Sequence, residues 1–157
     1  MPPLLSQFTF VNLTACRGLT ATPDFSACPN LTTVKLHRCS ALTEPPIFTA
    51  CPKLTTVDLD WCERLIAPPD FTGCRSLTSV KLSSCKDFIT PPDLTTCPNL
   101  TTLSLHGCEN LTNAPDLSAC PKLTQADFSW CSRFTVPPDL TACQSLTALS
   151  LNECHQY

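Results

Sequence analysis

Hydrophobic positions along this chain recur in a fixed metre. From Leu31 to Lys53 the sequence reads LTTVKLHRCSALTEPPIFTACPK, with apolar or cysteine residues at Leu31, Val34, Leu36, Cys39, Leu42, Phe48 and Cys51. The frame LTxVxLxxCxxLTxPPDLTxCPx starts again at Phe8, Leu54, Leu77, Leu100, Leu123 and Leu146, at a constant interval without insertion or deletion, the last unit being a half turn. Within LTTVKL, Val34 and Leu36 alternate with Thr33, Lys35 and His37, and period-two alternation predicts a short strand buried on one face. Stacking such units in parallel sets successive strands about 4.8 Å apart, so the strands form a sheet spanning on the order of 30 Å. No unit can bury its inward positions alone, so stability belongs to the stack.

The return path carries Pro45-Pro46, Pro68-Pro69, Pro91-Pro92 and Pro137-Pro138. Proline neither joins a strand ladder as a donor nor continues a helix, which predicts extended, polyproline-like or 3-10 segments there and little or no α-helix. A tight turn at Asp-Leu-Thr-Ala-Cys closes each unit. Sixteen prolines against three glycines point further to proline-stiffened connections, since glycine is the usual source of positive φ.

Composition narrows the picture. Hydrophobic residues at 43% against 15% charged supply a core for one domain covering residues 1–157, with 1–7 as a weak N-terminal cap. A net charge of −3 gives no basic field for a polyphosphate, so nucleic acid is not expected as a partner. No apolar run approaches a membrane span and no leader is read at the N-terminus, so no membrane association and a cytoplasmic location are expected.

Thirteen cysteines would suggest a disulfide framework if scattered, but they too are metrical. Seven (Cys16, Cys39, Cys62, Cys85, Cys108, Cys131, Cys154) recur once per unit, and six (Cys28, Cys51, Cys74, Cys97, Cys120, Cys143) follow them at a constant offset of about half a unit. Their expected role is that of reduced thiols packed in the core; parallel stacked side chains seldom reach disulfide geometry, and no CxxC pair suggests zinc. No cofactor or metal is expected. His37, His106 and His155 lie close to cysteines in sequence, but His37 and His106 alternate outward where Cys39 and Cys108 point in, and those two histidines are three turns apart. NxT triplets at Asn12, Asn30, Asn99 and Asn110 arise readily from the frequent Leu-Thr pairs and matter only in a secretory compartment.

The opening segment of each unit, LxxLxLxxC, matches the one that defines leucine-rich repeats, and the chain resembles that family over positions 8–157. The stretch CPNLTTVKLHRC, Cys28 to Cys39, is also similar to the cysteine-containing subclass in substrate receptors of ubiquitin ligases, although that subclass has a helix where this chain has LTxPPDLTAC. Pro115, Asp116, Leu117 and Ser118 look more like the repeats of plant immune receptors. These 157 residues hold neither an F-box nor a nucleotide-binding domain, so those activities do not carry over. The resemblance implies a leucine-rich-repeat solenoid of the α/β horseshoe class, its parallel sheet on the concave side, with the first cysteine of each unit standing where the family usually has Asn.

Only the third, fifth, seventh and eighth positions of the unit lose the repeat's monotony. On the expected concave face they present Lys35, His37, Arg38, Asp58, Asp60, Trp61, Lys81, His106, Asp127 and Trp130. Trp61 and Trp130 share the eighth position three turns, roughly 14 Å, apart, and tryptophan is over-represented among interface hot spots; each also suits the bland role of covering Arg38 or Arg133 at the strand edge. The mixed charges read equally as a solvated face of weak cross-strand pairs. His37 near Asp60, or His106 near Asp127, resembles a dyad, but an open sheet offers no water-excluding pocket, so no enzyme activity is expected. The expected function is a protein-protein interaction module, an intracellular adaptor or effector that in the latter case acts in a host cytosol. Uncapped end turns invite end-to-end self-association. The alternative is an ice-binding or other surface-binding solenoid, suggested by the threonine ladder Thr9, Thr32, Thr55, Thr78, Thr101, Thr124 and Thr147 and the Ser/Thr ladder from Ser26 to Thr141.

Overall fold

The computed structural model describes residues 5–154. Each unit yields one three-residue strand: β1 (Phe10–Asn12), β2 (Thr33–Lys35), β3 (Thr56–Asp58), β4 (Ser79–Lys81), β5 (Thr102–Ser104), β6 (Gln125–Asp127) and β7 (Ala148–Ser150). They form one parallel sheet in chain order, in strict register: Val34 lies beside Val57, Val57 beside Val80 and Val80 beside Leu103. The chain is therefore a parallel β-solenoid of about six turns between its first and last strands. Backbone pairing runs past the strands, from Thr55 N–H donating to the Thr32 carbonyl (2.8 Å) to Arg38 N–H donating to the Asp60 carbonyl (2.8 Å).

Both cysteines of a unit sit at corners. Cys39 N–H donates to the Leu36 carbonyl and the Cys39 carbonyl accepts from Leu42 N–H; Cys51 does the same between Phe48 and Leu54. The first corner has a feature that the glycine count concealed. The residue before its cysteine is left-handed in every unit: Ala15, Arg38, Trp61, Ser84, Gly107, Trp130 and Glu153 all have φ between 58° and 70°. Glycine fills the place once. Beside the proline-stiffened return path, the sharp bend is made by residues that adopt the αL region at a steric cost.

The core is the stack of inward positions. Leu31, Val34, Leu36, Cys39, Leu42, Phe48 and Cys51 are fully buried, as are their counterparts in turns three and four. Pro46, Pro69, Pro92 and Pro115 are buried as well, an inward position the hydrophobic metre does not reveal. Phe25, Phe48 and Phe71 stack with ring centroids 5.7 and 6.1 Å apart. The return path has no α-helix among the described residues: two 3-10 turns, Leu5–Gln7 and Phe25–Ala27, and isolated bridges Ile47–Asp70 and Asn113–Val136 are its regular structure. No helix of the described residues is long and apolar enough to cross a membrane.

Candidate functional site

Three polar ladders hold the stack and remove many polar groups from candidacy as contact points. The second-position threonines donate downward: Thr32 Oγ1 to the Thr9 carbonyl (2.8 Å), then Thr55, Thr78, Thr101, Thr124 and Thr147 each to the threonine one turn before. The first-corner thiols also donate downward, Cys39 Sγ to the Leu13 carbonyl (3.1 Å), Cys62 to Leu36 (3.2 Å) and Cys85 to Leu59 (3.3 Å). All thirteen cysteines are free. Burial raises the ladder thiols, Cys62 and Cys131 to about 12 and Cys85 and Cys108 well above the ordinary thiol value, so the donors stay protonated. In the third ladder, Asp24, Asp70, Asp93, Asp116 and Asp139 accept from the backbone N–H two residues on, at 2.8–3.0 Å, fixing the closing turn. Turn two has Ile47 there instead.

Asparagines of the NxT triplets are engaged too. Asn30 Nδ2 donates to the Ser6 carbonyl while its Oδ1 takes Lys53 Nζ (2.7 Å); Asn99 repeats this with the Arg75 carbonyl and Lys122.

The varied positions lie on the outer face of the sheet and its C-terminal rim. Lys35 and Lys81 are exposed on β2 and β4, with Asp58 between them on β3. Lys35 Nζ stands 5.9 Å from the centre of the Phe10 ring. Asp58 turns to His37, Nδ1 to Oδ1 3.7 Å, and the same oxygen takes Asp60 N–H at 3.1 Å. His37 thus faces Asp58, the fifth position of the next turn, rather than Asp60 as the sequence suggested. Asp60 is the more enclosed carboxylate: burial raises its pKa against the pull of Ser83 N–H, which donates to it at 2.7 Å. His37, Asp58 and Asp60 bring one imidazole nitrogen and two carboxylate oxygens within 4.8 Å of one another. That donor set can hold a divalent cation, but both carboxylates already anchor backbone N–H groups.

Trp61 and Trp130 occupy the left-handed corner, 45% and 52% exposed. Trp61 shares a recess of about 310 Å³ with Arg17, Arg38, Ser40 and Glu63, so Arg38 does flank it at the strand edge. Between the two tryptophans the same corner carries Ser84 and Gly107.

The sequence reading missed a longer period. His106 Nδ1 lies 3.6 Å from Asp127 Oδ2, repeating His37 with Asp58, and Trp130 follows Asp127 as Trp61 follows Asp58. Each member is displaced by three whole units, as is the Asn-Lys pair above. Comparing every third unit reveals it: CPNLTT occurs at Cys28–Thr33 and again at Cys97–Thr102. Set against models of known protein families and against curated proteins, the chain matches neither.

Proposed function

We propose that this solenoid is a non-catalytic module of the leucine-rich-repeat kind that binds a partner protein, and that the outer face of its sheet, concave in such repeats, is the binding surface. One observation carries the reading. Two tryptophans are held half-exposed at the one backbone position per turn where any side chain is strained and glycine would be favoured. The corner imposes this conformation on whichever residue stands there, so the two indoles are carried on a fixed backbone, and a rigid, partly exposed indole is a strong interface anchor.

The ladders support the same reading by weighing against the surface-binding one. The second-position threonine hydroxyls, which an ice-binding face would turn outward, commit their donors to the solenoid's own carbonyls. The imidazole-carboxylate pairs sit on an open face, where they act as weak ion pairs. In this reading the protein works in the cytoplasm, where the thiols that serve as hydrogen-bond donors stay reduced.

The test compares wild type with a Trp61→Gly/Trp130→Gly variant, a substitution the backbone accepts at both sites. Both are immobilised after circular dichroism shows equal folding, and retained proteins from cell lysate are compared by mass spectrometry. A partner kept by the wild type and lost by the variant supports the reading. Identical retention by both overturns it.

A further inference from the structure

The geometry points to a phosphotyrosine side chain of the partner protein as the group that seats in the recess beside Trp61, its phosphate on Arg17 and Arg38 and its ring on the indole; this deepens the protein-binding reading above and rests on it. Arg17, Arg38, Ser40, Trp61 and Glu63 line that recess of about 310 Å³. Four of the five carry side-chain donors, and among the described residues those donors are uncommitted. No carboxylate lies within ion-pair distance of either guanidinium, and no hydrogen bond takes up the Ser40 hydroxyl or the indole N–H. The carboxylate in the recess, Glu63, faces Lys86 at 4.0 Å.

Charge selects the head of the ligand. Two guanidiniums opening on one space repel each other, and an anion between them relieves this. A carboxylate brings a single charge, whereas a phosphate monoester brings about −1.5 to −2 at neutral pH and enough acceptor oxygens for two guanidinium forks. The indole selects what carries the phosphate. Trp61 is half-exposed, and among the described residues no ring or cation lies on its face, so it is open to stacking by a planar group. The recess volume stands at the lower end of small-ligand sites, about 300–1,000 Å³, and a phosphate without a ring leaves much of it to water. The backbone beneath is already fixed: the N–H groups of Arg17, Arg38 and Trp61 donate to the carbonyls of Ala15, Asp60 and Ser83 at 2.7–2.8 Å. Binding therefore orders side chains alone.

The three-unit period supplies a contrast within the same molecule. Around Trp130 the places of Arg17, Arg38 and Ser40 are taken by Lys86, Gly107 and Glu109. Lys86 is committed to Glu63 and Glu109, at 4.0 and 3.5 Å. The second tryptophan thus has an acidic neighbour where the first has guanidiniums, and the phosphate site belongs to Trp61.

The test is proton–nitrogen correlation NMR of the full chain at physiological salt, which resolves the two indole N–H signals; Trp61→Gly assigns them. The probe is Ac-Gly-Ser-phosphotyrosine-Ser-Gly-amide, titrated beside the same peptide with tyrosine, the same peptide with phosphoserine, and inorganic phosphate. The expected result is a saturable shift of the Trp61 signal with the phosphotyrosine peptide, the Trp130 signal staying in place. Its affinity should exceed that of the phosphoserine peptide and of phosphate by about 10-fold, and the tyrosine peptide should leave both signals unmoved. Arg17→Gln and Arg38→Asn should each weaken it by about 10-fold or more, the loss of charge-assisted hydrogen bonds. Asn tolerates the left-handed corner, and a dispersed spectrum of each variant reports an intact fold. An unmoved Trp61 signal, an equal shift of both indoles, phosphoserine, phosphate or plain tyrosine binding as tightly, or unchanged affinity in both arginine variants overturns the proposal. In those cases a partner still lost from lysate by the double tryptophan variant leaves the protein-binding reading standing, while its retention removes both.

Discussion

The left-handed corner makes one substitution change sign with position. Gly107 occupies that corner at φ +70°, and a Cβ built there lies 3.2 Å from Ser84 Oγ. Gly18 belongs to a different turn, is not left-handed, and a Cβ there meets nothing within 4 Å. Replacing glycine by alanine anywhere restricts the unfolded chain and stabilises by about 0.4–1 kcal/mol where the native backbone permits it. At the corner this gain is opposed by about 1–2 kcal/mol for placing a Cβ in the left-handed region. Gly18→Ala should therefore stabilise by roughly 0.4–1 kcal/mol, and Gly107→Ala should destabilise by roughly 0.5–1.5 kcal/mol once the Ser84 hydroxyl has given way. For a chain of this size those values move Tm by about 2–4 °C per kcal/mol. Urea unfolding of the two variants beside wild type, with unchanged m-values, measures both. If Gly107→Ala is as stable as wild type, the corner is not the strained position that the reasoning on Trp61 and Trp130 requires.

Three further outcomes follow from the ladders. Hydrogen bonds from Ser118 hold the Asp116 carboxyl below its usual pKa, so its stabilisation is present above the unfolded value of about 3.9 and is lost as pH falls through the lower folded value. Asp116→Ala should thus lower Tm at neutral pH, with the gap closing in acid; a gap that persists in strong acid contradicts this. Asp60 has the opposite sign: burial raises its pKa, so its ionisation opposes folding as pH rises, and Asp60→Asn should raise Tm at neutral pH and lose that advantage in acid. Thermal melts across pH read both. Finally, iodoacetamide should label exposed Cys16 first and half-buried Cys154 next, leaving the other eleven until unfolding; mass spectrometry showing Cys85 modified as fast as Cys16 would refute the buried protonated ladder.

Much of the architecture is written in the metre of the unit, because alternation at Val34 and Leu36 and invariant spacing leave a parallel stack as the arrangement that buries every unit alike. Both cysteines were legible as inward residues on the same ground. What composition hid was backbone conformation: Arg38, Trp61 and Ser84 give no local sign of positive φ, which the requirement to end a strand and reverse at Cys39, Cys62 and Cys85 imposes from tertiary structure. Pro46 and Pro69 were read as convex punctuation, yet the narrow return path leaves their rings nowhere to lie but against the core. Of the candidate surface, the outward residues were visible from alternation. The pairing of His106 with Asp127 was legible, whereas His37 was assigned Asp60 and faces Asp58 of that same turn, because two carboxylates two residues apart offer the imidazole a choice that only the geometry decides; the three-unit period was masked by the stronger one-unit period.

The side-chain ladders all run one way. Every threonine and first-corner thiol that donates along the stack gives its proton to a carbonyl of the turn before it, whereas the backbone N–H groups after the strand, such as Leu36 and Arg38, donate to carbonyls of the turn that follows. In a chain emerging from a ribosome the acceptors of these side-chain ladders come first and their donors later, while the backbone pairs of the corner are presented in the opposite order. Shortening such a rod from its C-terminal end, one unit at a time, frees side-chain acceptors together with the corner N–H groups that donated to the lost turn. Shortening it from the other end leaves the new first turn's threonine hydroxyl and corner thiol without their carbonyls, so two truncations of equal length are not equivalent.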